Sequence, residues 1–246
     1  RRSTKLLLEA EDIAILAKHS NQPLSGDFRL GAIPTIAPYL LPQSLPVLRE
    51  KFPNLKLYLF EDETARLLER LRTGALDAAL MAFPYEEPGI EWAELADDPF
   101  FLAHPSNHPV AKMSPNEAKR LLDSQSLQKE LILLEEGHCL RDHALTACHT
   151  DRLKPGQTIQ ASSLLTLVHM VANGLGVTLL PALACQPALL EGTNVSLTSL
   201  QGQAGHRTLG LAWRKSSVRK EELKILAEQL STQAKEQVSI AISSMS

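Results

Sequence analysis

Residues 135–149 gather two of the chain's three cysteines, three of its eight histidines and an arginine. The apolar run Leu131-Ile132-Leu133-Leu134 just before them reads as a buried strand, Glu135-Glu136-Gly137 as a turn, and His138 onward as a helix of good formers such as Leu140, Arg141, Ala144, Leu145 and Ala147. Cys139 is thereby placed at or near a helix N-terminus, where unpaired backbone N–H groups and the positive end of the helix dipole favour thiolate over thiol and lower its pKa. His138 and Arg141 push the same way, and Glu135 and Glu136 oppose it if their side chains turn inward. The chemistry this suggests is attack of a thiolate on a peroxide or a disulfide.

Cys148 is the partner to test. In an intact helix nine residues advance about 13.5 Å and put the two sulfurs on opposite faces, whereas a disulfide needs Cα atoms roughly 4.4–6.8 Å apart. If the segment is helical when reduced, a bond between these cysteines requires it to unwind, and oxidation would act as a structural switch. Three other readings stand beside this one. The cysteines can be small buried hydrophobes. His138, Cys139, His143, Cys148 and His149 are all potential metal ligands, although only Cys139 and His143 share an i, i+4 face and no C-x-x-C or H-x-x-x-H pair occurs. A cysteine hydrolase would need a histidine and a carboxylate across a cleft, which the sequence neither shows nor excludes.

At 246 residues the chain is long enough for one large domain or two lobes with a substantial core. Its net charge of −3 gives no electrostatic footprint for nucleic acid, so DNA contact must come from elsewhere. No apolar run reaches the roughly 18 residues of a membrane span, and Leu6-Leu7-Leu8 runs into Glu9, Glu11 and Asp12 rather than forming a signal-peptide core. An odd cysteine count does not suit a secreted disulfide framework, and a reducing cytoplasm is the expected setting. The first residue is not Met and lies in helix-like sequence, so an N-terminal portion is expected to precede it.

Leu7, Ala10, Ile13, Ala14 and Ala17 predict an amphipathic helix over residues 3–19. From Gly26, strands at 28–33, 55–59 and 75–82 alternate with helices that run to Lys51 and over 64–72, which predicts parallel pairing in an open α/β sheet with ligands at the strands' carboxyl ends. Thr35 follows the first strand, and Thr64 is placed as the helix N-cap after the second; capping alone is the plain account of both. Pro42 and Pro46 are expected to shorten or kink the first helix. A strand pair at 90–95 and 99–104 follows. Helices are then expected near 115–122, from 138 and over 162–173, strands at 158–160, 177–180, 195–197 and 208–213, and a terminal helix over 218–242. Ser162 and Ser163 open a helix and offer either an anion site or an ordinary cap, and Cys185 reads as structural. Two lobes are predicted, joined near 97–100 and 204–207.

Gly31-Ala32-Ile33-Pro34-Thr35 with Pro38-Tyr39-Leu40-Leu41-Pro42, then Phe52-Pro53, Gly74-Ala75-Leu76-Asp77-Ala78, and Met170-Val171-Ala172-Asn173-Gly174-Leu175-Gly176-Val177-Thr178-Leu179-Leu180-Pro181 resemble the effector-binding region of LysR-type transcriptional regulators over nearly the whole chain. Gly137-His138-Cys139-Leu140-Arg141-Asp142, with Cys148 nine residues beyond the cysteine, is similar to the signature of that family's peroxide-sensing members. The resemblance implies an α/β fold of two Rossmann-like lobes, periplasmic-binding-protein-like (type II). Residues 25–98 and 206–246 would form lobe I and 99–205 lobe II, with 1–24 the end of a linker helix and the family's winged helix-turn-helix not part of this chain.

The same resemblance implies that hydrogen peroxide oxidises Cys139, the peroxidatic residue, to a sulfenic acid, and that Cys148 resolves it to a reversible disulfide. Thr35, Thr64 and His138 would bind peroxide, and Arg207, in His206-Arg207-Thr208-Leu209-Gly210-Leu211, would favour the thiolate. It implies no cofactor and no metal, and a regulator rather than an enzyme. The implied partners are hydrogen peroxide, further copies in a homodimer or homotetramer, promoter DNA and RNA polymerase through the full-length protein, and a thiol reductant of glutaredoxin or thioredoxin type, with no membrane. The alternatives are a LysR-type regulator binding a small-molecule effector in the inter-lobe cleft and a thiol peroxidase proper. Residues 124–129 are longer than the family pattern, and Cys185 is an extra thiol.

Overall fold

Phe28, Leu30 and Ala32 are buried along β1 (Gly26–Ala32) while Asp27 and Arg29 are not, so one face of this strand is committed to a core. In the computed structural model, which describes residues 23–84, 87–122, 124–148, 159–200 and 205–244, the chain separates into two compact units. The first comprises Arg1–Ala96 and Thr208–Lys235, the second Asp97–Arg207 and Glu236–Ser246. The helix expected over 3–19 lies outside the described residues.

In the first unit β1 pairs in parallel with β2 (Leu55–Glu61) and with the fully buried β3 (Ala78–Phe83). The strand β4 (Ile90–Pro105) and the last strand, β9 (His206–Arg214), complete the order β2-β1-β3-β9-β4. The β3–β9 pairing is antiparallel, so the sheet is mixed rather than wholly parallel. Helix α1 (Ala37–Lys51) runs through both Pro42 and Pro46, against the expectation that they would shorten it. Pro38, Pro42 and Pro46 fall four residues apart on its exposed face, so the carbonyls that lose N–H partners face water, where solvent satisfies them. Helix α2 (Thr64–Arg72) follows β2, and its cap is Glu63, with Thr64 the first helical residue.

The strand β4, which enters the second unit at Asp97, is one continuous strand where the sequence suggested two, and Pro99 removes a single donor without ending it. Its Phe100–Ala103 stretch pairs antiparallel with β7 (Thr178–Pro181), and Phe101–Pro105 with β8 (Val195–Ser199). Residues 115–130 form two helices, α3 (Pro115–Leu122) and α4 (Gln125–Glu130). The second, capped by Ser124, accounts for most of the stretch that looked long for the family. Next come β5 (Leu133–Leu134), α5 (Cys139–Ala147), β6 (Gln160–Ala161) parallel to β5, α6 (Leu164–Ala172) and the short α7 (Pro187–Leu190). The terminal helix α8 (Lys220–Ser243) buries Leu223, Leu226, Ala227, Leu230 and Ala234 at helical spacing along its length up to Lys235, which belongs to the first unit.

Gly174 and Gly176 shape the passage from α6 to β7. Gly174 adopts a left-handed φ of 76°, and the bonds Leu175 N to Met170 O and Gly174 N to Val171 O close the helix in a Schellman turn. At Gly176 an added Cβ would lie 2.2 Å from the Glu130 carbonyl oxygen, the acceptor for Val177 N–H. Gly176→Ala is therefore expected to destabilise the second unit by about 1–3 kcal/mol, read as a lowered midpoint in denaturant. It should also loosen the Leu131–Val177 bridge that leads into β5.

Candidate functional site

The run 131–134 is buried throughout, and its backbone is anchored by Ile132 N to Val177 O (2.9 Å) and Glu135 N to Ala161 O (3.0 Å). The chain then turns at Gly137, whose φ of 101° suits glycine. His138, nearly buried, takes the N-cap position of α5 with extended backbone and no side-chain capping bond. Cys139 is the first helical residue and is half-buried. Its sulfur thus starts at the positive end of a helix whose leading N–H groups lack a side-chain cap. Glu135 and Glu136 are exposed and do not turn inward. Arg141, two residues on and about 200° round the helix, donates from Nη1 to Leu134 O at 3.1 Å.

At the other end of α5, Cys148 is the C-cap, completely buried, with its N–H donating to Ala144 O at 3.0 Å. The last carbonyls of the turn meet side chains from α3 and α4. Lys119 Nζ, on a buried residue, donates to Ala147 O, and Gln128 Nε2 donates to Cys148 O, each at 3.5 Å. A cation at a helix C-terminus complements the dipole. All three cysteines are thiols, and an intact α5 spaces Cys139 and Cys148 about 13.5 Å apart along its axis, beyond disulfide reach.

Arg207, which the sequence brought in only by resemblance, is fully buried and donates from Nε to Asp98 Oδ2 at 2.9 Å. The other Asp98 oxygen accepts from Leu183 N at 2.8 Å. Burial raises the Asp98 carboxyl above its ordinary value, against the pull of the Arg207 charge and the Leu183 N–H. Asp98 escaped the sequence reading, although a carboxylate between Leu95-Ala96 and Phe100-Phe101 is a charge in an apolar strand and so announces a buried partner. Cys185 donates to Pro181 O at 3.3 Å, and burial together with the Asp98 charge pushes its thiol far up. It stays protonated, as a structural residue would.

His143 sits one turn beyond Cys139 on α5, and its buried Nδ1 has no hydrogen-bond partner among the described residues. Burial, then the Arg207 charge, lowers its pKa to about 4. His104, fully buried against Pro105 O and Thr198 Oγ1, is lowered mainly by desolvation. Both imidazoles fold neutral, so between an unfolded pKa near 6.5 and the lower folded values the unfolded chain takes up protons that the folded chain refuses. Stability is whole above this window and falls as pH drops through it, by up to about 3 kcal/mol for His143 at its acid end. Thermal melts from pH 7 to pH 4.5 should show a falling midpoint, and His143→Gln should flatten the fall.

Thr35 and Thr64 belong to the first unit, at the carboxyl ends of the neighbouring parallel strands β1 and β2. Both are buried. The Thr64 hydroxyl has no hydrogen-bond partner among the described residues, so capping does not explain it. Ser163, by contrast, is an ordinary cap, accepting from Thr166 N at 3.2 Å. Among the described residues no group of three or more His, Cys, Asp and Glu is placed to hold a metal ion, and no helix is long and apolar enough to cross a membrane.

Residues 21–235 match the model of the LysR substrate binding domain. The chain is 41% identical over 223 residues to a probable hydrogen peroxide-inducible genes activator of Mycobacterium avium, covering 90% of this chain and 70% of that protein. It is 38% identical over 227 residues to the HTH-type transcriptional regulator EstR of Acinetobacter baylyi, covering 92% and 73%. Among solved structures it resembles a cysteine-to-serine mutant of Corynebacterium glutamicum OxyR with hydrogen peroxide bound, with a TM-score of 0.83 and 35% identity over 98% of this chain and 74% of that one.

Proposed function

The chain belongs to the LysR substrate-binding domain family, and from that premise we propose that it is the redox-sensing regulatory part of a peroxide-responsive transcriptional regulator. The observation that carries this reading is the placement of Cys139 as the first residue of α5, half-exposed, with Cys148 as the buried cap of the same helix. The Cys139 thiolate attacks hydrogen peroxide and becomes a sulfenic acid, and Cys148 then displaces water from it to form a reversible disulfide. Closing that bond requires α5 to unwind, which remodels the segment and the contacts between copies of the protein. His138 and the hydroxyls of Thr35 and Thr64 are assigned to bind peroxide, and Arg207 to favour the thiolate. Residues 25–98 with 206–246, and 99–205, are proposed as the two regulatory lobes.

In this role the protein works as a homodimer or homotetramer in the cytoplasm. It engages promoter DNA and RNA polymerase through the full-length chain and is reset by a thiol reductant of glutaredoxin or thioredoxin type. Each oxidation is read out structurally rather than turned over, so it is a regulator and not an enzyme. The test is mass spectrometry of a non-reducing digest after one equivalent of hydrogen peroxide. A fast, dithiothreitol-reversible Cys139–Cys148 link is expected, and oxidation of Cys139 no faster than that of Cys185 would refute the reading.

A further inference from the structure

His143 is drawn into the site by its position rather than by any motif. It shares the i, i+4 face of α5 with Cys139, which brings the Cβ atoms of such a pair to about 5–6 Å. Helical side chains also tilt back toward the N-terminus, so the imidazole leans over the turn that carries the sulfur. Its Nδ1 is buried and has no hydrogen-bond partner among the described residues, a condition that destabilises a fold unless a ligand relieves it. Burial, then the Arg207 charge, keeps the ring uncharged near neutral pH, with a single ring proton to donate.

We propose that His143 is a further residue of the peroxide reaction, donating a hydrogen bond from Nδ1 to the oxygen that departs when the Cys139 thiolate is oxidised. This rests on the reading of Cys139 as the peroxide-reactive thiol. In the step, the sulfur–oxygen bond forms as the oxygen–oxygen bond breaks. Sulfur gives up two electrons to become the sulfenic acid, and the other oxygen leaves as hydroxide, which solvent protonates to water. The negative charge that grows on that oxygen is what a fixed, uncharged N–H donor stabilises. A neutral donor also avoids placing a second cation beside Arg207.

The experiment compares two reagents on the reduced chain: hydrogen peroxide, whose leaving oxygen needs a donor, and iodoacetamide, whose leaving iodide does not. His143→Leu is expected to slow oxidation of Cys139 by about tenfold or more while changing its alkylation rate by less than about twofold. His143→Gln retains an N–H donor without a titrating ring and is expected to stay within about threefold of the parent toward both reagents. Parental peroxide reactivity in His143→Leu would overturn the proposal, as would equal slowing toward both reagents, which would reveal an effect on thiolate or packing alone. If the parent's own Cys139 reacts with peroxide no faster than Cys185, the underlying reading falls and this inference with it. A parent that reacts fast alongside an unaffected His143→Leu would remove only the role of His143.

Discussion

Cys139→Ser is expected to abolish the peroxide response completely. Peroxide would then find only Cys148 and Cys185, both buried, and the latter held as a protonated thiol by desolvation and the Asp98 charge. Neither sits at a helix N-terminus. The substitution is nearly isosteric at a half-exposed position, so stability should change by no more than about 0.5 kcal/mol. Loss of reactivity can therefore be separated from loss of fold. Cys148→Ser should part the two chemical steps, oxidising at the parental rate but stalling at a sulfenic acid that dimedone captures. The measurement is thiol loss and circular dichroism during peroxide addition, and a peroxide-dependent structural change that persists in Cys139→Ser would sink the assignment.

Arg207→Met should have the largest effect on stability. Arg207 and Asp98 are both fully buried and joined by a 2.9 Å hydrogen bond, so removing the guanidinium strands a carboxyl in the protein interior. Breaking such a pair costs about 3–5 kcal/mol, roughly a 10 °C drop in the melting midpoint for a chain of this size. The damage should be smaller at acid pH, where an unpaired Asp98 takes up a proton. Arg207→Met with Asp98→Leu replaces both partners and should recover much of the stability. If Arg207 also favours the thiolate, the double variant will be stable yet oxidise slowly. Full recovery of both would confine the pair to a structural role.

These two predictions mark what could and could not be read from the sequence. The helix of Cys139 was legible because an apolar strand, a glycine turn and a run of helix formers follow one another, and local order of that kind is written locally. Asp98 and Arg207 are separated by 109 residues, and nothing in periodicity pairs a carboxylate with an arginine at that distance. Pro99 and the two aspartates before it fall where the sequence left a gap between two strands, whereas β4 runs unbroken from Ile90 to Pro105. The prolines of α1 do not end it for a related reason: their effect depends on which face they occupy, and these three lie on an exposed face. His143 appeared in the sequence only as a possible metal ligand, because an orphaned ring nitrogen becomes visible only once its surroundings are known.

The clamp at the far end of α5 bears on how such a sensor would handle time. If Cys139 and Cys148 must meet, the sulfenic acid has to wait until a nine-residue helix opens and the donors Lys119 and Gln128 release the carbonyls of Ala147 and Cys148. During that wait a small cellular thiol can return Cys139 to its starting state. A brief pulse of oxidant would then be forgotten, and only sustained exposure would be recorded. On that reading the helix would work as a delay, and its last turn would set the length of the delay.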